Sequence, residues 1–485
     1  MSTVFEPVIG IEVHAQLKTK SKLFCACSTQ FGNATNGNVC PVCLGLPGAL
    51  PVLNKAAVEM AIKAGLALNC TVKHNSVFSR KNYFYPDLPK GYQISQFDLP
   101  ICENGHLDIV VDGQPKRIGI TRIHMEEDAG KLLHQGSDSI AGADYSLVDL
   151  NRASVPLIEI VSEPDIRSAK EARAYMESLK LIVQHLEICD GNLEEGSLRA
   201  DANISIRPQG QEKFGTRTEI KNINSFRSLE RAILGEIDRQ TDIINGGGSI
   251  TQQTRNYDDN TQTTTPLRDK EESHDYRYFP EPDLMPLVIT DEKIKSIKET
   301  MDELPADKAQ RYISELGLTE KEAKTIISDH IVTVYFDKCI ALDGIPAKEL
   351  SNWVLGDLLA LSKENKQTLD QCKVTPEKLI ELLQLKESGK ISGKIAKDIL
   401  QKVFNSGESP KTLVEKEGAS QISDSGELQG VVDQILSENQ DVVEKVKAGK
   451  TKSADFLMGQ VMKATRGRAK PDLVKTMILD TISRL

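Results

Sequence analysis

Cys25-x-Cys27 and Cys40-x-x-Cys43 present four thiols at spacings that suit a tetrahedral metal site, with twelve residues between the pairs. Each thiolate would hold Zn²⁺ at roughly 2.3 Å. With four protein sulfurs the coordination shell is closed, so such a zinc pins the chain and leaves no position for substrate or water. Reduced thiols that bind nothing are the alternative. Just upstream, Val8-Ile-Gly-Ile-Glu12-Val-His14-Ala-Gln16-Leu17 reads as a strand that places Glu12, His14 and Gln16 on one face.

His124-Met-Glu126-Glu127-Asp128 adds three consecutive carboxylates. They repel one another unless cations neutralise them, and a hard divalent ion with oxygen ligands, Mg²⁺ above all, does this. If Glu12 and His14 face the same cavity, the ligands suffice for one or two such ions. Taken alone, the run also fits an exposed acidic loop. Residues 80–93, Arg-Lys81-Asn-Tyr-Phe-Tyr-Pro-Asp-Leu-Pro-Lys-Gly-Tyr-Gln, favour a pocket instead, being dense in aromatic, basic and turn-forming types.

A third cluster spans 268–283 and holds Arg268, Lys270, His274 and several carboxylates. Cations beside acids suit a phosphate bound with its metal; an interdomain salt-bridge network fits the same residues. Lys221-Asn222-Ile-Asn224, after Glu219, would join it. The chain has no G-x-x-x-x-G-K-[ST] and no G-x-G-x-x-G, so a nucleotide here is not held by a P-loop or Rossmann turn. No G-x-S-x-G elbow exists either. With the paired cysteines read as metal ligands, no nucleophile stands out; if this chain uses an amine or ammonia, something else must generate it.

Positioning these groups takes a mostly β region up to about residue 290. Residues 198–207 alternate strictly, burying Leu198, Ala200, Ala202, Ile204 and Ile206 and presenting Arg199, Asp201, Asn203, Ser205 and Arg207 together. Residues 118–128 alternate with a phase slip between Ile120 and Ile123, the mark of a bulge. Residues 155–161 form an apolar strand that carries Glu159. A helix follows Ser168, whose Ser-Ala-Lys-Glu171 is a capping box, and another spans 55–68. Asn245-Gly-Gly-Gly-Ser249 is a turn. Beyond about Asp291 the texture becomes helical, with helices expected over 294–301, 306–316, 320–341 and 348–362. Asn405-Ser-Gly-Glu-Ser-Pro410 reads as a hinge before a last helical unit.

The chain's 485 residues, 39% hydrophobic and 27% charged, imply two to four domains with buried cores. No apolar run approaches the ~18–20 residues that span a bilayer, and residues 1–7 do not resemble a signal peptide. Nine cysteines, five of them scattered singly, fit a reducing compartment. A cytoplasmic protein without membrane attachment is expected. The net charge of −10 excludes wholesale nucleic-acid coating. Yet residues 445–485 hold ten Lys/Arg against three Asp/Glu, which implies a partner touched at one place or a solvated helix face.

Together these residues resemble the B-subunit family of the aspartyl/glutamyl-tRNA(Asn/Gln) amidotransferases. Residues 8–14, 80–93, 124–130 and 221–226 are similar to its motifs, and residues 149–165 match its signature. The similarity runs almost end to end. Ala153-Ser154-Val155 stands where Ser-Gly-Thr is usual, and Leu267-Arg268-Asp269-Lys270 where Met-Arg-Ser-Lys is usual; the zinc cysteines occur in only some members.

The resemblance implies an α+β chain: a cradle-shaped catalytic domain over 1–290, a helical domain over 291–405 and a tRNA-binding tail over 406–485. It implies an ATP-dependent carbon–nitrogen ligase that phosphorylates the side-chain carboxylate of misacylated Glu-tRNA(Gln) or Asp-tRNA(Asn) and amidates it with ammonia. An amidase-type A subunit would supply the ammonia from glutamine, with a small C subunit completing a heterotrimer. Glu12, His14, Glu126, Glu127 and Asp128 would hold Mg²⁺. Lys81 would line the ammonia exit, with Glu127 as a carboxylate partner in its gating. Arg152, Glu159, Arg199, Asp201, Asn203, Lys221, Arg268 and Lys270 would bind ATP and the acceptor end. A rival of another class is a zinc-stabilised tRNA-binding scaffold without catalysis, which has no need of acids facing the acceptor end. The archaeal-type relative carries an inserted domain, for which this chain has no room.

Overall fold

Alternation in β1 (Phe5–Gln16) buries Ile11, Val13 and Ala15 on one face and leaves Glu12, His14 and Gln16 on the other. The computed structural model, which describes residues 4–136, 142–269, 273–417, 425–447, 453–465, 469 and 471–484, sets this strand at the centre of a nine-stranded sheet. The others are β2 (Thr71–Val72), β3 (Cys102–Val111), β4 (Gln114–Glu127), β5 (Pro156–Ser162), β6 (Leu198–Pro208), β7 (Thr218–Ile223), β8 (Gln253–Asp258) and β9 (Thr263–Asp269). Their order is β9-β8-β7-β6-β1-β5-β4-β3-β2. Only β7 and β8 run parallel among these neighbours. The chain therefore builds one half of the sheet inward from β2 to β5 and the other outward from β6 to β9, and β1 joins them. With hydrogen-bonded partners on both sides, β1 has no free edge.

The bulge read from the phase slip is present: Val161 pairs with Arg122 and Ser162 with Ile120, which leaves Thr121 unpaired. The slip is what turns Arg122, His124 and Glu126 to the same face as His14.

Helices α1 (Lys55–Ala67), α2 (Ala169–His185) and α3 (Phe226–Asn245) cover the apolar face. Ile62, Tyr175, Met176, Leu179 and Ile233 are fully buried there with Ile11 and Val13. The Ser168 hydroxyl accepts from the Glu171 N–H, so half of the expected capping box forms. The Glu171 carboxylate turns instead to the Arg167 N–H and to Lys116. Helix α4 (Asp291–Glu299) packs on α1 and adds Ile297 to the same core.

One buried polar knot lies behind the sheet. Glu236 on α3 has no exposure and accepts from Thr218 (2.5 Å), Gln240 (2.8 Å) and Arg239 (2.6 Å). Burial pushes its carboxyl up, but these bonds outweigh that and hold it below the ordinary value. A depressed folded pKa contributes stability that is complete above the unfolded value of about 4.3 and is lost as pH falls through the folded value. Glu236→Gln should therefore flatten the fall of melting temperature with pH below about 4.3. An unchanged acid limb in the variant would refute this.

The chain is α+β and divides into two compact units, Met1–Pro305 and Ala306–Leu485. The second is helical and holds two apolar cores, one from Tyr312 to Val414 and one from Leu428 to Ile482. The helix expected over 320–341 is two, Glu320–Ile327 and His330–Ala341, because the Asp329 side chain accepts from the N–H groups of Ile331 and Val332 and starts a new helix. The helix expected over 348–362 carries a wide turn at Trp353–Leu358. Among the described residues no helix is long and apolar enough to cross a membrane.

Candidate acidic site and four-cysteine centre

A row of side chains crosses the polar face of the sheet in strict register. Arg199 on β6 lies opposite His14 on β1, His14 opposite Glu159 on β5, and Glu159 opposite His124 on β4. Such pairs lie close enough to interact directly. His14 Nε2 is 3.3 Å from Glu159 Oε2, 3.6 Å from Glu126 Oε1 and 3.8 Å from Glu12 Oε1. Asp201, opposite Glu12, closes the group.

Electrostatics follow from that crowding. Burial works against a charged His14, but the bond to Glu159 and the charges of Glu159, Glu126 and Glu12 lift its pKa to about 9. Burial and the Glu159 charge push the Glu12 carboxyl up, against the pull of His14. Glu126 and Glu159 are held low despite burial, by the imidazoles of His124 and His14 beside them.

Glu12, His14 and Asp201 form one potential ligand group and His14, Glu126 and Glu159 a second, with ligand atoms within 4.8 Å of one another in each. Four carboxylates around one imidazole make an oxygen-rich donor set, which fits a hard divalent cation.

Beside this group lies a cavity of about 340 Å³ lined by His14, Lys81, Tyr83, Glu126, Arg199 and Lys221, among others. From Tyr83 in its lining a chain of aromatic rings leads away: Tyr276 stands edge-on to Tyr83 (6.2 Å) and Tyr278 (6.1 Å), and Tyr278 stacks on Phe97 at 4.2 Å. Lys81 Nζ sits 4.8 Å over the Tyr276 ring.

The three consecutive carboxylates do not converge. Successive side chains of a strand point to opposite faces, and β4 continues to Glu127. Glu126 joins His14. Glu127 turns away, is fully buried, and binds Lys90, the Ile94 N–H (2.8 Å) and the Ser154 hydroxyl. Asp128 accepts from Gln16 Nε2 (2.8 Å) and Arg199 (3.1 Å) and faces Arg152 at 3.6 Å. It lines the cavity but belongs to neither ligand group.

The remaining expected residues also separate. Lys81 lines the cavity, but the lysine on Glu127 is Lys90. Glu159 and Asp201, read from sequence as nucleotide contacts, lie in the acidic groups. Arg199 and Lys221 line the cavity, paired with Asp128 and Asp201. Arg152 lies beside it, donating to the carbonyls of Ala129 (2.9 Å) and Gly130 (2.6 Å). Asn203 shares the polar face, opposite Gly10 and Glu219, outside the cavity lining. Arg80 is spent on Glu281 (2.7 and 2.8 Å). Lys270 and the side chain of Arg268 lie outside what the structure describes, as do Lys450, Lys452, Arg466, Arg468 and Lys470 of the basic segment. Sequence reasoning places Asn224 with Lys221 and includes Tyr276 and Tyr278 in the 268–283 cluster, but gives the two tyrosines no role; a Tyr-x-Tyr in an acid-rich loop is the only signal they leave.

Ser154 occupies backbone that disfavours any side chain: its φ is 66° and it is buried. Such strain costs of order 1–3 kcal/mol. The hydroxyl on Glu127 offsets it, since a hydrogen bond to a charged group contributes about 1.5–3 kcal/mol. Ser154→Ala keeps the strain and removes the bond, and should destabilise by about 2 kcal/mol. Ser154→Gly removes both and should cost less. Equal melting temperatures for the two variants would show that the strain is not felt, and a wild-type melting temperature in Ser154→Ala would show that the bond contributes nothing.

The four-cysteine centre is assembled. All four sulfurs lie within 4.8 Å of one another, and Cys40 Sγ is 3.9 Å from Cys43 Sγ. An ideal tetrahedron with bonds of about 2.3 Å has an edge of about 3.8 Å, so the cage fits zinc. Cys43 is pushed down to about 4 by hydrogen bonds from Cys25 and the Cys40 N–H and by the Lys22 charge, against burial. Lys22 is fully buried, with Nζ 3.6 Å from Cys43 Sγ and 3.2 Å from the Leu150 carbonyl.

Residues 7–295 match the family model described as GatB/GatE catalytic domain, and residues 334–482 that of the GatB domain. The chain is 53% identical over 475 residues to the B subunit of the aspartyl/glutamyl-tRNA(Asn/Gln) amidotransferase of Geobacter sulfurreducens, covering 98% of both chains. It is 53% identical over 481 residues to the corresponding B subunit from Carboxydothermus hydrogenoformans, covering 99% of both. The chain belongs to this B-subunit family. The acidic row, the cavity and the four cysteines of this family member all fall inside the catalytic-domain match.

Proposed function

We propose that this chain is the ATP-dependent kinase and transamidase component of a tRNA-dependent amidotransferase. A carboxylate is a poor acyl donor because its leaving group would be oxide. The side-chain carboxylate oxygen of a misacylated Glu-tRNA(Gln) or Asp-tRNA(Asn) attacks the γ-phosphorus of ATP, and ADP departs. Ammonia then attacks the acyl carbon of the resulting acyl phosphate, and inorganic phosphate leaves with the amide formed.

The observation that carries this reading is the row Arg199–His14–Glu159–His124 with Glu12, Glu126 and Asp201 beside an open cavity. A pure tRNA binder gains nothing from acids in that place, because they repel the phosphates of an acceptor stem. Glu12, His14, Glu126, Glu159 and Asp201 would hold Mg²⁺. When bound, Mg²⁺ would neutralise charge gathering on the transferred phosphoryl oxygens. Arg199, Lys221 and Lys81 present cations along the cavity and orient anionic substrate groups there. Tyr83 in the cavity lining, with Tyr276 packed against it, would keep water from an acyl phosphate on that side.

We read the four-cysteine centre as structural zinc and Lys81 as lining the ammonia exit. An amidase-type A subunit that hydrolyses glutamine would supply the ammonia, a small C subunit would complete the heterotrimer, and the complex would work in the cytoplasm. The last helices of the chain would bind tRNA. The missing nucleophile supports the need for such a partner.

The test is ADP release by the chain co-expressed with its amidase partner, supplied with ammonium, with and without Glu-tRNA(Gln). Release that requires the misacylated tRNA and yields Gln-tRNA is the expected result. Baseline release together with tight tRNA binding would favour the scaffold instead.

A further inference from the structure

His124 is among the least exposed groups of the polar face, at 4%, and belongs to neither ligand group. Its surroundings leave one arrangement. The Arg122 Nε–H donates to His124 Nδ1 at 3.4 Å, so Nδ1 must be an acceptor and the ring proton sits on Nε2. That Nε2–H lies between two carboxylates, 3.6 Å from Glu159 Oε2 and 3.7 Å from Glu126 Oε2. The Ser95 hydroxyl approaches Glu126 Oε2 from another side at 3.4 Å. Glu126 Oε2 is thus occupied from within the protein, and Oε1 is the oxygen turned to His14 and the cavity. Glu159 is treated alike, with Arg122 3.6 Å from Oε1 and both imidazoles at Oε2.

We infer that His124 is a positioning residue whose Nε2–H, fixed by Arg122, sets the Glu126 and Glu159 carboxylates for a divalent cation. The inference rests on reading the acidic group as a cation site. Groups behind metal ligands fix their orientation, and replacing them commonly weakens metal binding by about 10–100-fold. His124 stands in that relation to two ligands at once, because its strand register puts it opposite Glu159 and two residues before Glu126.

The probe is Mn²⁺ bound to the intact multi-subunit complex and followed by electron paramagnetic resonance. His124→Leu should weaken Mn²⁺ about 10–100-fold. His124→Gln, whose amide N–H can replace Nε2–H, should recover most of that loss, and the nitrogen hyperfine coupling from His14 should persist in both. If His124→Gln binds as weakly as His124→Leu, or if the nitrogen coupling changes when His124 is replaced, the positioning role is overturned. Glu126→Gln separates the two levels: unchanged Mn²⁺ affinity there would sink the cation reading itself, whereas a loss there beside wild-type affinity in His124→Leu would sink only this inference.

Discussion

Glu126→Gln should reduce tRNA-dependent ADP release by about 10²–10³-fold, while the affinity for Glu-tRNA(Gln) stays within about threefold of wild type. The estimate follows from what the side chain loses. Charge stabilisation by a metal contributes several kcal/mol to a phosphoryl-transfer barrier, and each 1.36 kcal/mol is tenfold in rate. The substitution is isosteric and leaves an amide in place beside Ser95 and His124, so little is asked of folding. Its neighbour should behave in the opposite way. Glu127 is buried against Lys90 and Ser154, away from the cavity. Glu127→Gln strands the Lys90 ammonium and should cost about 3–5 kcal/mol of stability. Two adjacent glutamates would then split cleanly, one costing turnover and the other costing melting temperature. Parallel losses of tRNA affinity and turnover in Glu126→Gln would instead mark it as a binding residue, and the kinase assignment would go with it.

The contrast between Glu126 and Glu127 also shows what sequence can and cannot express. Alternation made β1 and β6 legible, down to which residues share a face, because one face of each strand is apolar. The slip between Ile120 and Ile123 located the bulge in β4 for the same reason. Pairing between strands left no such trace. His14 and Glu159 are cross-strand partners 145 positions apart in the chain, and only the tertiary fold makes them a pair, so Glu159 read as a nucleotide contact rather than part of the acidic group. The run Glu126–Asp128 read as one acidic turn because its types are uniform. The backbone there is a strand end that sends each carboxylate to a different partner. The four-cysteine spacing was legible because zinc constrains short-range geometry, while the buried lysine beside it was not. Nothing in the identity of Lys22 distinguishes it from a surface lysine.

That lysine makes the zinc assignment testable by a change of size. A zinc held by four thiolates carries a net charge of −2, and Lys22 Nζ lies 3.6 Å from one of the sulfurs with no access to solvent. In the loaded protein the ammonium is a counter-charge. Stripping the metal allows the other thiolates to protonate and leaves Lys22 facing the Cys43 thiolate alone, so the ammonium balances one charge instead of two. Chelation should therefore destabilise the protein by more than the loss of a loop clip. For a unit of this size about 4 kcal/mol corresponds to a fall of roughly 6 °C in melting temperature. Lys22→Met should lower the melting temperature of the metal-loaded protein, because it removes the counter-charge from a buried anionic centre. After stripping, the same substitution should cost clearly less, because it then removes the partner of a single thiolate and not of a centre of charge −2. The double-mutant cycle between Lys22→Met and metal removal isolates that coupling from the packing change common to both states. A Lys22→Met effect of the same sign and size with and without metal would mean that the four sulfurs carry no such charge, and the site would not be a zinc–thiolate centre.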